Sequence, residues 1–276
     1  MTHAAWYPPA DRSQDRSKFS GIKMPRITKL LLHSTESAGW PSYPDFAPQF
    51  TFDPWGHKWR QHMPLPLSAS TLADSSSTAV RENRDDIVQV EIVGYCDEAQ
   101  ADKHGRFVEG MDAEALKQLG AFAAWLHVEW GLPLTSTVTW KSYKRGNASG
   151  SYGLNNGVRL TGPQFDAYTG LLGHQHAPAQ RHGDPGRIDV AAILAAAKGS
   201  TPVPAEYPTP KTDDVYLSKL HLGQLDSDSV WQLQAALKAD GYDVPLSGDY
   251  DKATAAAVAR CVFDGGGKAV TIHNDL

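Results

Sequence analysis

Hydrophobic and polar positions along this 276-residue chain change period several times, and each change predicts an element. Ile27-Thr28-Lys29-Leu30-Leu31-Leu32 closes on an unbroken apolar run and reads as a buried strand carrying His33 at its C-terminal edge. Gln49-Phe50-Thr51-Phe52 and His57-Lys58-Trp59-Arg60-Gln61-His62 flank Pro54-Trp55-Gly56, the pattern of a hairpin. Ile87-Val88-Gln89-Val90-Glu91-Ile92-Val93 is nearly continuous β-branched apolar residue, as for a central strand covered on both faces. Glu91 interrupts it. Asp112 to Trp130 reads as a helix, with Asp112 as N-cap, Gly131 just beyond its end and an apolar stripe of Leu116, Leu119, Ala123, Leu126 and Trp130. Leu171-Leu172 leads into a histidine-rich loop, after which Asp189 caps a short helix through Ala197. Strands interspersed with helices predict an α/β fold with a mixed central sheet flanked by helices.

The pattern stops at Gly199-Ser200-Thr201-Pro202-Val203-Pro204-Ala205-Glu206-Tyr207-Pro208-Thr209-Pro210-Lys211, whose near-alternating prolines favour an extended spacer. The chain therefore divides into a domain over 1–198, a linker over 199–214 and a tail over 215–276. In the tail, Val230, Leu233 and Leu237 form a helical stripe that stops at Gly241, and Thr254 to Val258 reads as a second short helix, predicting a small all-α domain. Net charge is −5, from 26 basic and 31 acidic residues, without the basic surplus of a nucleic-acid binder. No apolar stretch reaches the ~18 residues of a membrane span, and the N-terminus has neither the basic nor the apolar region of a signal peptide. The two cysteines, Cys96 and Cys261, are expected as free thiols.

Chemistry concentrates in Gly173-His174-Gln175-His176-Ala177-Pro178-Ala179-Gln180-Arg181-His182-Gly183-Asp184-Pro185-Gly186. Three imidazoles and a carboxylate fall within eleven residues of turn-forming sequence, where several side chains can be aimed at one point. Imidazole nitrogen and carboxylate oxygen are zinc ligands, and a hydrolytic zinc needs three protein ligands and an open position. His33 is the best candidate to complete the set. The pattern says zinc hydrolase.

His174 and Asp184, ten residues apart with His182 two before Asp184, together with His33, resemble the zinc site of type 2 N-acetylmuramoyl-L-alanine amidases, the group related to peptidoglycan recognition proteins. Trp6-Tyr7-Pro8 followed by Ala10-Asp11-Arg12 resembles the N-terminal segment of actinobacterial phage members. Leu32-His33-Ser34-Thr35-Glu36 is similar to the first ligand strand. Gln61-His62 and Ser68-Ala69 before Asn83-Arg84, and Gln89-Val90-Glu91-Ile92-Val93-Gly94, complete an ordered set over residues 5 to 190. The resemblance implies that His33, His174 and Asp184 bind Zn²⁺, that Glu91 is the general base, and that His182, where many relatives carry lysine, steadies the oxyanion. The tail resembles a three-helix peptidoglycan-binding domain, departing from it at Cys261, where an aromatic residue is usual, and in its short ending. Together these imply a monomeric phage endolysin whose partner is bacterial peptidoglycan, held in the host cytoplasm until a holin releases it to the wall.

Several residues keep a second reading. His176, eight residues before Asp184, competes with His174 as ligand. His182 could instead hydrogen-bond its own loop, and Asp184 could be a turn residue before Pro185-Gly186. His57, His62, His104 and His127 are expected to be structural or solvated. Trp40, Trp55 and Trp59 fit either a glycan groove or packing.

Overall fold

The computed structural model describes residues 3–14, 16–17, 22–72, 83, 86–145 and 150–199, and toward the C-terminus 230, 233–234, 237–238, 241–244, 250 and 252–263. The chain divides into two compact units: Pro9–Val203, and Met1–Pro8 together with Pro204–Leu276. The proposed linker beyond Gly199 lies outside the described residues.

Unit Pro9–Val203 is an α/β structure on a mixed six-stranded sheet. Its strands are β1 (Ala10–Asp11), β2 (Lys29–Ser34), β3 (Phe50–Asp53), β4 (Lys58–Gln61), β5 (Ile87–Ile92) and β6 (Gly170–Gly173), in spatial order β1-β4-β3-β5-β2-β6. Only β3 and β4, the expected hairpin, pair antiparallel; every other neighbour is parallel. The helices are α1 (Glu98–His104), α2 (Ala113–Trp130), α3 (Gly162–Ala167) and α4 (Val190–Gly199).

Register assigns the sheet faces, because paired residues point the same way and successive residues alternate. Phe50 pairs with Val90 and Val90 with Leu32, so Phe50, Phe52, Val88, Val90, Ile92, Leu30 and Leu32 share one face. There α2 packs: Trp59 stacks on Phe52 at 4.4 Å and on Phe122 at 4.6 Å, and Phe50 meets Phe122 edge-on at 4.7 Å. Asp112 caps α2 by accepting from Ala115 N, and Gly131 ends it in the left-handed conformation, both as the sequence predicts. The expected stripe is wider and rotated. Phe122 and Trp125 are fully buried, whereas Leu116 and Trp130 are half-buried. The far side of α2 lies against α4 so closely that a Cβ at Gly120 would come within 2.6 Å of Ala196 Cβ and 2.8 Å of Ile193 O.

The other face carries Leu31, Ile87 and Leu172, which cluster with Leu72, Ala177, Tyr168 and Phe165 of α3. Toward the C-terminal ends of the strands the same face turns polar, with Thr51, Glu91 and His33 in register and Gln89 two residues before Glu91. The β5 run is thus not uniformly apolar but alternates, Val88, Val90 and Ile92 facing α2 while Gln89 and Glu91 face the site.

In the other unit, residues 230, 233–234 and 237–238 are helical, and Leu233, Leu237, Val244 and Ala257 form a buried cluster with Tyr242, Tyr250 and Val258 against it. Ala257 and Val258 belong to α5 (Lys252–Phe263), longer than the expected Thr254 to Val258 because the helix-favouring run continues through Ala259 and Arg260.

Candidate metal centre

His33 stands one residue from the end of β2, paired in register with Glu91 of β5. β6 ends at Gly173, and the chain turns at once into a single 3₁₀ turn, His174–His176. Glycine is required at 173 because a Cβ there would meet Trp140 at 2.7 Å and Pro185 at 2.8 Å. The loop that follows is held by buried polar side chains. Gln175 accepts from Lys141 N at 2.9 Å and donates to Gly186 O at 2.7 Å; Asn156 donates to Ser151 O at 2.7 Å and Gln175 O at 2.9 Å. The Arg159 guanidinium donates to the carbonyls of Gly153, His174, Ala177 and His182. Backbone Gln175 N donates to Asp184 O at 3.0 Å, closing the loop so that both its ends face His33.

The result is a buried trio of His33, His174 and Asp184. His33 Nδ1 lies 3.1 Å from His174 Nδ1 and 3.5 Å from Asp184 Oδ2, and His174 Nδ1 lies 3.3 Å from the same Oδ2. Ligands about 2.0–2.1 Å from a tetrahedral zinc are separated by about 3.3 Å, so the three atoms already have the spacing of one face of such a site. Ser34 N donates to Asp184 Oδ2 at 3.2 Å and steadies the carboxylate. Burial opposes ionisation of Asp184, but the attraction and hydrogen bond of His174, with His33 beside it, outweigh it and hold its pKa well below the ordinary carboxylate value. The site fits a divalent cation that accepts nitrogen and oxygen.

Glu91 Oε1 lies 4.0 Å from His33 Nδ1, while its Oε2 is buried without a hydrogen-bond partner among the described residues. Burial raises the Glu91 pKa to about 7, against the partial relief of His33 and with the added repulsion of Asp184 and Glu36. Glu36 itself, raised by burial, accepts from Ser34 Oγ at 2.6 Å and from Cys96 N at 2.9 Å. His182 stacks on His174, ring centroids 4.8 Å apart and nearly coplanar in tilt, with its side chain 69% exposed. Burial of part of the ring and the field of His174 lower its pKa, favouring the neutral imidazole.

His176 stands apart from the trio. Its Nδ1 accepts from Gly173 N at 2.8 Å and its Nε2 faces Thr139 O at 3.0 Å, so both nitrogens are used inside the protein. His62 is likewise enclosed, between Thr51 Oγ1 and Gln14 O; His57 meets Asp112, His104 stacks on Tyr95, and His127 bonds Leu132 O. Trp59 is core, Trp55 is partly exposed with its indole N–H on Val93 O, and Trp40 lies under the Arg60 guanidinium. Cys96 is a buried free thiol, and the side chain of Cys261 lies outside what is described. Sequence reasoning passed over Gln89, Thr71 and Arg159. Gln89 carried the same signal as Glu91, a polar residue inside an apolar strand and two positions away, hence on the same face.

Compared with known proteins, the chain matches no family model, no curated protein and no solved structure. Among the described residues no helix is long and apolar enough to cross a membrane.

Proposed function

We propose that this chain is a zinc-dependent hydrolase of the type 2 N-acetylmuramoyl-L-alanine amidase kind, cleaving the amide between N-acetylmuramic acid and the L-alanine of the peptidoglycan stem. One observation carries the reading: His33, His174 and Asp184 converge at zinc-ligand spacing with the carboxylate of Glu91 beside them, its Oε2 without a hydrogen-bond partner among the described residues. A zinc ion held by the three residues would supply Lewis acidity and make water nucleophilic near neutral pH. Glu91 accepts the proton of the attacking water and passes it to the departing amine, the two halves of general base and general acid catalysis by one carboxyl. His182, open to solvent over the His174 ring, offers a donor to the oxygen that gains charge as the carbonyl is attacked. His33 and Asp184 are fixed by a strand register and a backbone donor, so the geometry is prepared before substrate arrives.

In this reading the sheet unit is an amidase fold, the C-terminal helices are a wall-binding domain, and the protein is a monomeric endolysin. It waits in the host cytoplasm until a holin opens the membrane, with peptidoglycan as partner and neither nucleic acid nor lipid bilayer as a target. Tethering a catalytic unit to a wall-binding one would raise the effective substrate concentration without any new contact.

The test is mass spectrometry of purified peptidoglycan after digestion, with and without a zinc chelator. Free stem peptides beginning with L-alanine beside intact glycan strands, formed only without chelator, are expected. Shortened peptides still attached to sugar would make the chain a zinc peptidase. Pelleting with the wall and no products would make it a peptidoglycan-binding protein.

A further inference from the structure

His33 can present a lone pair at Nδ1 only if its proton sits on Nε2, and something must decide that. His33 Nε2 lies 3.0 Å from Gln89 Oε1. An amide oxygen accepts, so the pair puts the proton on Nε2, provided Gln89 is turned this way round. Its orientation is set from the other end: Gln89 Nε2 donates to Asn83 Oδ1 at 3.2 Å. The same Asn83 oxygen accepts from Leu72 N at 2.8 Å, and Asn83 Nδ2 donates to Leu72 O. Thr71 Oγ1 adds a second donor to Gln89 Oε1. Side-chain amides can be turned over, but a backbone N–H is always a donor and a backbone C=O always an acceptor. Turning Asn83 would set N–H against the Leu72 N–H and oxygen against the Leu72 carbonyl. Turning Gln89 alone would set its oxygen against that of Asn83 and its NH₂ against the ring proton of His33.

We propose that Gln89 and Asn83 are positioning residues that carry the polarity of the Leu72 backbone to His33 and fix it as the Nε2–H tautomer, leaving Nδ1 free for the metal. The inference deepens the metal-centre reading and rests on it for its consequence, though not for its test. Gln89 and Asn83 are both buried. Outer partners of this type typically change metal affinity by about 10- to 100-fold when removed.

The direct test is long-range ¹H–¹⁵N correlation of the histidine rings in metal-free protein. His33 is expected as the Nε2–H tautomer; an Nδ1–H tautomer overturns the proposal. Gln89→Met, close in shape but without an acceptor, is expected to give His33 a mixed tautomer. It should also weaken zinc binding about 10- to 100-fold in competition with a chromophoric chelator. Gln89→Glu keeps an acceptor and is expected to restore both. Asn83→Asp, still accepting from Leu72 N and Gln89, is expected to keep the parent tautomer. A folded Gln89→Met protein with the parent's tautomer and affinity overturns the relay. If that variant does not fold, the parent's own tautomer decides. A parent chain that binds no zinc would end the metal reading, while the tautomer still decides the relay.

Discussion

The hairpin side of the sheet and its ligand side are built on opposite terms. Around β3, β4 and α2, Phe50, Phe52, Trp59 and Phe122 interlock at centroid distances of 4.4–6.3 Å, and the buried histidine of that region, His62, has partners on both nitrogens. At the ends of β2, β5 and β6 two imidazoles and two carboxylates are packed together, with His174 Nε2 and Glu91 Oε2 buried and unpaired among the described residues. Unpaired buried polar atoms cost on the order of 1–3 kcal/mol each. The first region supplies stability; the second draws on it to hold imidazoles and carboxylates close together. His176 and His174, two residues apart in one turn, repeat the contrast locally: both nitrogens of His176 have backbone partners, and Nε2 of His174 has none among the described residues.

Substitutions can break the contrast from either side. Glu91→Gln should lower kcat on peptidoglycan by about 10²–10⁴-fold while zinc content stays at parent level, and the metal-free protein should melt no lower than the parent. Activity within a few-fold of parent would remove Glu91 from the chemistry. Phe122→Ala should do the reverse, costing about 3–5 kcal/mol in urea unfolding while zinc affinity of the folded protein holds. Zinc at about 100 times its dissociation constant should stabilise the parent by about 2.7 kcal/mol. His176→Gln should keep that gain and His174→Ala should lose it; a reversed outcome in thermal shift would exchange their roles.

The smallest effect concerns acid. Burial lowers His62 from the ordinary 6.5 to about 4 in the folded protein. Between those values the unfolded chain binds the proton and the folded one does not, so stability is complete above 6.5 and falls as pH drops through the window. From pH 7 to pH 5 the loss from this residue is about 2 kcal/mol, and His62→Gln should flatten the slope of unfolding free energy by that amount. An unchanged slope would show that His62 is protonated in the native state.

What the sequence revealed follows from how local each signal is. Asp112 and Gly131 end α2 through contacts within one helical turn, so their identities suffice. His33, His174 and Asp184 were legible because ligand chemistry leaves few residue types and one loop concentrates them. β6 was not, since Gly170–Gly173 is too short to show a period and exists through its pairing with β2. Phe122 and Trp125 lay off the expected stripe because α2 is covered on two sides, by the sheet and by α4, which widens its buried arc. Arg159 was invisible for a different reason. Its partners are backbone carbonyls, and no sequence pattern marks a carbonyl.

The β2–β6 ladder has a consequence in time. It brings together His33 and His174, 141 positions apart, and Asp184 follows later still. A chain emerging from the ribosome N-terminus first can order β2 through β5 while it holds one ligand and no second. The trio cannot assemble in a chain that ends before residue 184, so any metal capture by it would report that synthesis has passed that residue and that β6 has docked.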